Sequence, residues 1–93
     1  IPLMDVTNKL QRDIIPLLSK EIYTLVKEYH GSITGEHNDG LVRTPYLKQM
    51  YGEKMISLFE ETKKIFDPQN IFNPRKKVFG DLEFAMSHIR QNW

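Results

Sequence analysis

The stretch LQRDIIPLLSKEIYTLVKEYHG, residues 10–31, sets the architecture. Its apolar side chains fall at Leu10, Ile14, Ile15, Leu18, Ile22, Leu25, Val26 and Tyr29. Such spacing returns to one face every three or four residues, which is the period of an amphipathic helix. Thr7 or Asn8 supplies the cap, because a short polar side chain accepts a hydrogen bond from an early backbone N–H. Pro16 has no N–H and crowds the preceding turn, so the helix is expected to kink there or to start afresh. Gly31 is expected to end it, since glycine takes the left-handed conformation at little cost.

Before this helix, residues 1–6 are short, apolar and partly β-branched, and they read as a strand with Pro2 near its start. The chain opens abruptly on Ile1 inside that stretch, and it is read as a piece of something longer. After the helix, residues 32–43 hold Gly35, Asn38, Asp39 and Gly40 and read as a turn-rich loop. Short extended stretches are expected at 32–34 and 41–43. Thr44-Pro45 opens a short helix over 46–51, which closes at Gly52. Another helix is expected over 53–66, with Met55, Leu58, Phe59, Ile65 and Phe66 at helical spacing. Asp67-Pro68 stops it, and 68–74 form a tight irregular turn. Asp81 caps a last helix that runs from Leu82 to about Arg90. The expected fold class is therefore α+β and mostly helical: one N-terminal strand, a long helix, a glycine-rich loop, then two or three shorter helices.

Composition removes several classes of function. Lysine and arginine number 13 against 12 acidic residues, a net charge of +1, which predicts no broad attraction to nucleic acid or anionic lipid. The chain has no cysteine, so disulfides, thiolate metal sites and cysteine nucleophiles are excluded within it. That absence fits a cytoplasmic protein. No apolar run approaches the roughly 20 residues that span a bilayer.

The densest polar cluster is Gly31-Ser32-Ile33-Thr34-Gly35-Glu36-His37-Asn38-Asp39-Gly40. A carboxylate and an imidazole stand side by side there, between glycines that let backbone come close to a ligand. Glu36 is a candidate cation ligand, and His37 a candidate ligand or proton carrier. On composition alone a solvated turn explains the pair as well, because a metal site needs about three or four ligands. His30 at a helix end answers the helix dipole, and His88 reads as a packing residue. The second cluster, residues 67–76, reads as a rigid turn, and Arg75-Lys76-Lys77 as a solvated basic run. Two other classes stay open at this level: a helical protein-interaction module with no catalytic role, and a small metal-binding protein using His30, Glu36 and His37.

Two motifs carry a resemblance. Gly31-Ser32-Ile33-Thr34-Gly35-Glu36-His37-x-x-Gly40-Leu41 is followed by Phe66-Asp67-Pro68-x-Asn70-Ile71-Phe72-Asn73-Pro74-x-Lys76. In this order and at this separation they resemble the C-terminal, cap domain of FAD-linked oxidases. That is the family of glycolate oxidase, D-lactate dehydrogenase and D-2-hydroxyglutarate dehydrogenase. The likeness covers residues 1–78. Asn38 and Arg75 stand where the family pattern has glycine, so each puts a side chain where bare backbone would approach a cofactor.

The resemblance implies a fragment of a flavoenzyme that oxidises a 2-hydroxy acid to the 2-oxo acid by hydride transfer to FAD. Residues 1–93 would be the C-terminal portion of its cap domain, with 79–93 reaching towards a following domain. His37 matches the catalytic histidine beside the flavin. Glu36 matches a ligand for zinc or another divalent metal in metal-dependent members. Asn73 and Gly35 match positions close to the flavin. The implied partners are the remainder of its own chain, with the FAD-binding domain, and a small 2-hydroxy acid. In some relatives an iron–sulfur domain follows, which implies a cluster in a later part of the parent, and a cytoplasmic location or one peripheral to the membrane. The isolated chain is expected to be inactive.

Overall fold

The computed structural model describes residues 3–92. Helix α1, Lys9–Glu28, is one continuous 20-residue element with Pro16 inside it, so the helix does not start afresh there. A proline inside a helix loses its own N–H bond and crowds the carbonyl one turn back, and the bonds of the turns on either side carry the helix past it. The cap is Asn8, whose side-chain oxygen accepts from the Leu10 N–H at 2.9 Å. At the other end the left-handed residue is His30, at φ 56°, and not Gly31. The Gly31 N–H donates to the Val26 carbonyl at 2.8 Å and the His30 N–H to the Lys27 carbonyl at 3.0 Å. Those two bonds make a Schellman close, which satisfies carbonyls the helix end leaves free. Glycine is needed at 31 for a different reason. A Cβ there would stand 3.1 Å from Val26 Cγ1 and 3.2 Å from the Val26 carbonyl oxygen.

The expected N-terminal strand is not found. Ile1 and Pro2 lie outside the described residues, and 3–6 carry no strand; neither does any other described segment. The fold is thus helical rather than α+β. A strand exists only by pairing with another, and here the backbone groups of 5–8 are already taken locally. Asp5 Oδ1 accepts from the Thr7 N–H at 2.9 Å, and the Asn8 N–H donates to the Asp5 carbonyl at 3.1 Å. Arg12 Nη1 donates to the carbonyls of Val6 and Thr7 at 2.7 and 2.8 Å. The approach to α1 is therefore a turn, with Leu3 fully exposed.

Nor are 32–34 and 41–43 extended. The loop leads into a single helical turn, α2, Gly40–Arg43. A 3-10 turn, Thr44–Tyr46, carries Pro45 into α3, Leu47–Tyr51. Gly52, at φ 80°, separates α3 from α4, Glu53–Phe66. The last helix, α5, Leu82–Ser87, is capped by Asp81 through the Phe84 N–H at 3.0 Å. It stops short of Arg90, because the side chains of Ser87 and His88 turn back on the Phe84 carbonyl, both at 2.8 Å.

The core is small. Ile33, Tyr46 and Leu47 form its centre, with Tyr23 and Val26 of α1, Met50, Ile56 and Leu82 packed round them. Tyr23 and Tyr46 meet edge to face, 5.0 Å between ring centres. Most of the apolar stripe of α1 stays outside this core: Leu10, Ile14, Ile22 and Leu25 are exposed, as are Ile65 and Phe66 on α4. Among the described residues no helix is long and apolar enough to cross a membrane.

Candidate functional site

The loop between α1 and α2 is pinned at both ends and presents its middle. Ile33 enters the core, and Asp39 is buried with 3% exposure. Between them Gly35 and Asn38 take φ 47° and 61°, so the chain reverses sharply. Glu36 and His37 stand at the tip, with side chains 87% and 75% exposed. His37 Nε2 lies 3.0 Å from Glu36 Oε1. If Nε2–H donates to that carboxylate, Nδ1 is the ring atom left to accept a proton. A Cβ on Gly35 would meet nothing within 4 Å, so that face of the loop is open.

The second loop follows α4 and is built on Asp67. Its buried carboxylate accepts from the N–H groups of Ile71 and Phe72, both at 2.9 Å, and from the Lys63 ammonium. Lys63 Nζ also donates to the Phe72 carbonyl at 2.5 Å. The Lys63 bond, chiefly, holds the Asp67 carboxyl below the usual carboxylate range, and the two backbone donors add to it against the cost of burial. A depressed folded value means that this stabilisation is complete above the unfolded value of about 4 and is lost as pH falls through the folded one. Amide protection at Ile71 and Phe72 is therefore expected to hold constant above about pH 4 and to weaken below it, and Asp67→Asn should abolish the acid step. Protection that stayed unchanged down to pH 2 would refute this account.

Beyond Phe72 the backbone turns left-handed at alternate residues: Asn73, Arg75, Lys77 and Phe79 have φ 48°, 61°, 71° and 56°. Asn73 is exposed, and its carbonyl accepts from the Lys76 N–H at 3.2 Å. Arg75 lays its guanidinium 3.8 Å over the Phe84 ring. The two positions where the family pattern has glycine, 38 and 75, are both at φ 61°. Asparagine tolerates that region, and its Oδ1 accepts the next residue's N–H at 2.9 Å. Arginine pays about 1–2 kcal/mol for the same conformation, and the cation–π contact returns roughly 0.5–1 kcal/mol.

No bond runs directly between Glu36 or His37 and Asn73 among the described residues. The two loops are joined one step away. Lys77 Nζ lies 2.5 Å from Asp39 Oδ2. Thr44 Oγ1 donates to the Gly40 carbonyl at 2.5 Å and accepts from the Lys77 N–H at 2.9 Å. Beside this junction is a cavity of about 350 Å³ lined by Asp39, Tyr51, Phe59, Lys63 and Lys77 among others. His37 and Asn73 stand outside it. Asp39, Thr44 and Lys77 carried no signal as a group in the sequence: they read as a turn residue, a helix cap and part of a basic run.

The residues 1–77 match the family model described as FAD linked oxidases, C-terminal domain. The chain belongs to the C-terminal domain of the FAD-linked oxidases. It is 36% identical over 77 residues to "Glycolate oxidase subunit GlcD" of Bacillus subtilis, which covers 83% of this chain and 16% of that protein. It is 35% identical over 75 residues to the D-2-hydroxyglutarate dehydrogenase of Pseudomonas putida, covering 81% of this chain and 7% of that one. The putative mitochondrial D-lactate dehydrogenase C713.03 of Schizosaccharomyces pombe is 37% identical over 57 residues, 61% of this chain and 11% of that protein. The chain thus spans well under a fifth of the length of these relatives, and no solved structure matches it closely.

The family implies FAD in the parent protein. On this chain the residues that would face such a group are open to it: His37 and Asn73 are exposed, and nothing stands within 4 Å of the place of a Cβ on Gly35. The metal is a different case. No group of three or more His, Asp or Glu side chains among the described residues is placed to hold an ion. Glu36 and His37 supply at most two ligands, against the three or four a site needs. An iron–sulfur cluster has no cysteine here to bind it.

Proposed function

We propose that this chain is the part of a flavin-dependent dehydrogenase or oxidase that covers the reacting face of the flavin, and that the parent oxidises a 2-hydroxy acid of the glycolate, D-lactate or D-2-hydroxyglutarate type. The observation that carries the reading is the Glu36–His37 pair, held out to solvent on a loop pinned by two buried residues. Relatives named for oxidation of those three acids support the substrate class.

FAD, when bound, would supply the acceptor for the hydride from C2 of the hydroxy acid. His37 takes the hydroxyl proton, so a C–H and an O–H bond break as the C=O double bond forms. Glu36 orients the imidazole and offsets the positive charge it acquires, as a carboxylate does behind a catalytic histidine. Asn73 would offer its amide to the cofactor, and Gly35 would leave the space beside it free of side-chain bulk. The exposed apolar residues of α1 and α4 are covered by the remainder of the parent, the FAD-binding domain included.

The parent protein, purified, tests this directly. Its flavin colour should bleach when one of the three acids is added without oxygen. A colourless protein, or colour that none of the three acids bleaches, would overturn the reading.

A further inference from the structure

Asp39 asks for an explanation. Its side chain is 1% exposed, and burying a carboxylate is costly unless it is paired. It occupies the residue before α2, yet its side chain makes no capping bond to that helix. Neither carboxylate oxygen has an aligned hydrogen-bond donor among the described residues. What it does have is the Lys77 ammonium at 2.5 Å, carried by the other loop. Next to it, the Thr44 hydroxyl ties the Gly40 carbonyl to the Lys77 N–H. The same segment is pressed against Thr44-Pro45 at Gly80, where a Cβ would come within 2.6 Å of Thr44 Cγ2 and 2.8 Å of the Pro45 nitrogen.

We propose that Asp39 is a positioning residue: with Lys77, and with Thr44 beside it, it locks the loop bearing Glu36 and His37 to the loop bearing Asn73. Asp39 follows His37 by two residues, and Lys77 follows Asn73 by four. A displacement at the lock is therefore passed to both tips at once. The lock gives two loop tips, themselves without a direct bond among the described residues, one common frame against a cofactor. Its value to catalysis rests on the proposed reaction; the mechanical coupling does not.

Hydrogen exchange on the full-length parent separates these. Lys77→Met should speed exchange in both 34–40 and 73–78 by about tenfold or more, because the partner carboxylate is left buried and unpaired. Lys77→Arg keeps the charge and should leave both loops near the wild-type rate. If Lys77→Met unfolds the domain, Asp39→Asn removes the buried charge in the same shape. It should loosen both loops while the amides around Leu47 stay protected. Faster exchange in only one loop, or in neither, overturns the proposal, as does Lys77→Arg behaving like Lys77→Met. In kinetics, Asp39→Asn should lower kcat with KM little changed, and unchanged kcat overturns the positioning role. A wild-type parent that oxidises no hydroxy acid would sink the functional reading, while the exchange result would still decide whether the loops are coupled.

Discussion

Replacing His37 by Gln in the full-length parent is expected to slow the proposed oxidation of the hydroxy acid by roughly 10²–10⁴-fold, the range for loss of a general base. Flavin content and melting temperature should stay close to wild type. The side chain is 75% exposed, its partner among the described residues is Glu36, and His37 is not part of the core cluster. Glutamine keeps polarity and length but cannot take up the proton. The defect should appear in kcat more than in KM, since the interaction it removes develops as the O–H bond breaks. Glu36→Gln should cost less, about tenfold, because it weakens the support of the base and leaves the base in place. Turnover within a factor of about three of wild type in His37→Gln would remove the residue from the chemistry.

Leu47→Ala should be the most damaging single change to stability, about 2–5 kcal/mol in the unfolding free energy of the domain. Leu47 is 1% exposed and sits at the centre of a core with few other buried side chains. Little around it can collapse into the space. It also lines the open cavity beside Asp39, so truncation would let solvent reach further into the core. Urea unfolding would show the midpoint falling with an unchanged slope. A loss under about 1 kcal/mol would mean that the core is held elsewhere.

The elements fixed by local chemistry could be read from sequence. The α1 stripe, the Asn8 cap, the break at Gly52 and the Asp81 cap each depend on residues within a turn of one another. What failed was decided by which nearby side chain captured the backbone groups, and residue type alone does not announce that. Residues 1–6 have strand-like side chains, but strands need partners, and the described part finds its bonds in Asp5 and Arg12 instead. Gly40–Arg43 follows loop residues that suggest extension, yet it curls into one helical turn, tied by the Thr44 hydroxyl on the Gly40 carbonyl. The site divides in the same way. Glu36, His37 and Asn73 stood out by type and motif. Asp39 did not, because an aspartate between asparagine and glycine looks like a hydrated turn. Only the fold shows it buried against a lysine 38 positions further on.

The alternation of left-handed residues from Asn73 to Phe79 has a consequence for solubility. Residues 71–79 put Ile71 and Phe72 at one end and Val78 and Phe79 at the other, with Pro74 and the charges of Arg75, Lys76 and Lys77 between them already opposing edge-to-edge pairing. Each reversal of φ swings the next peptide plane aside, so successive amides never line up as a template for a neighbouring chain. The segment can keep greasy side chains available for burial within its own protein and still be a poor seed for fibrils.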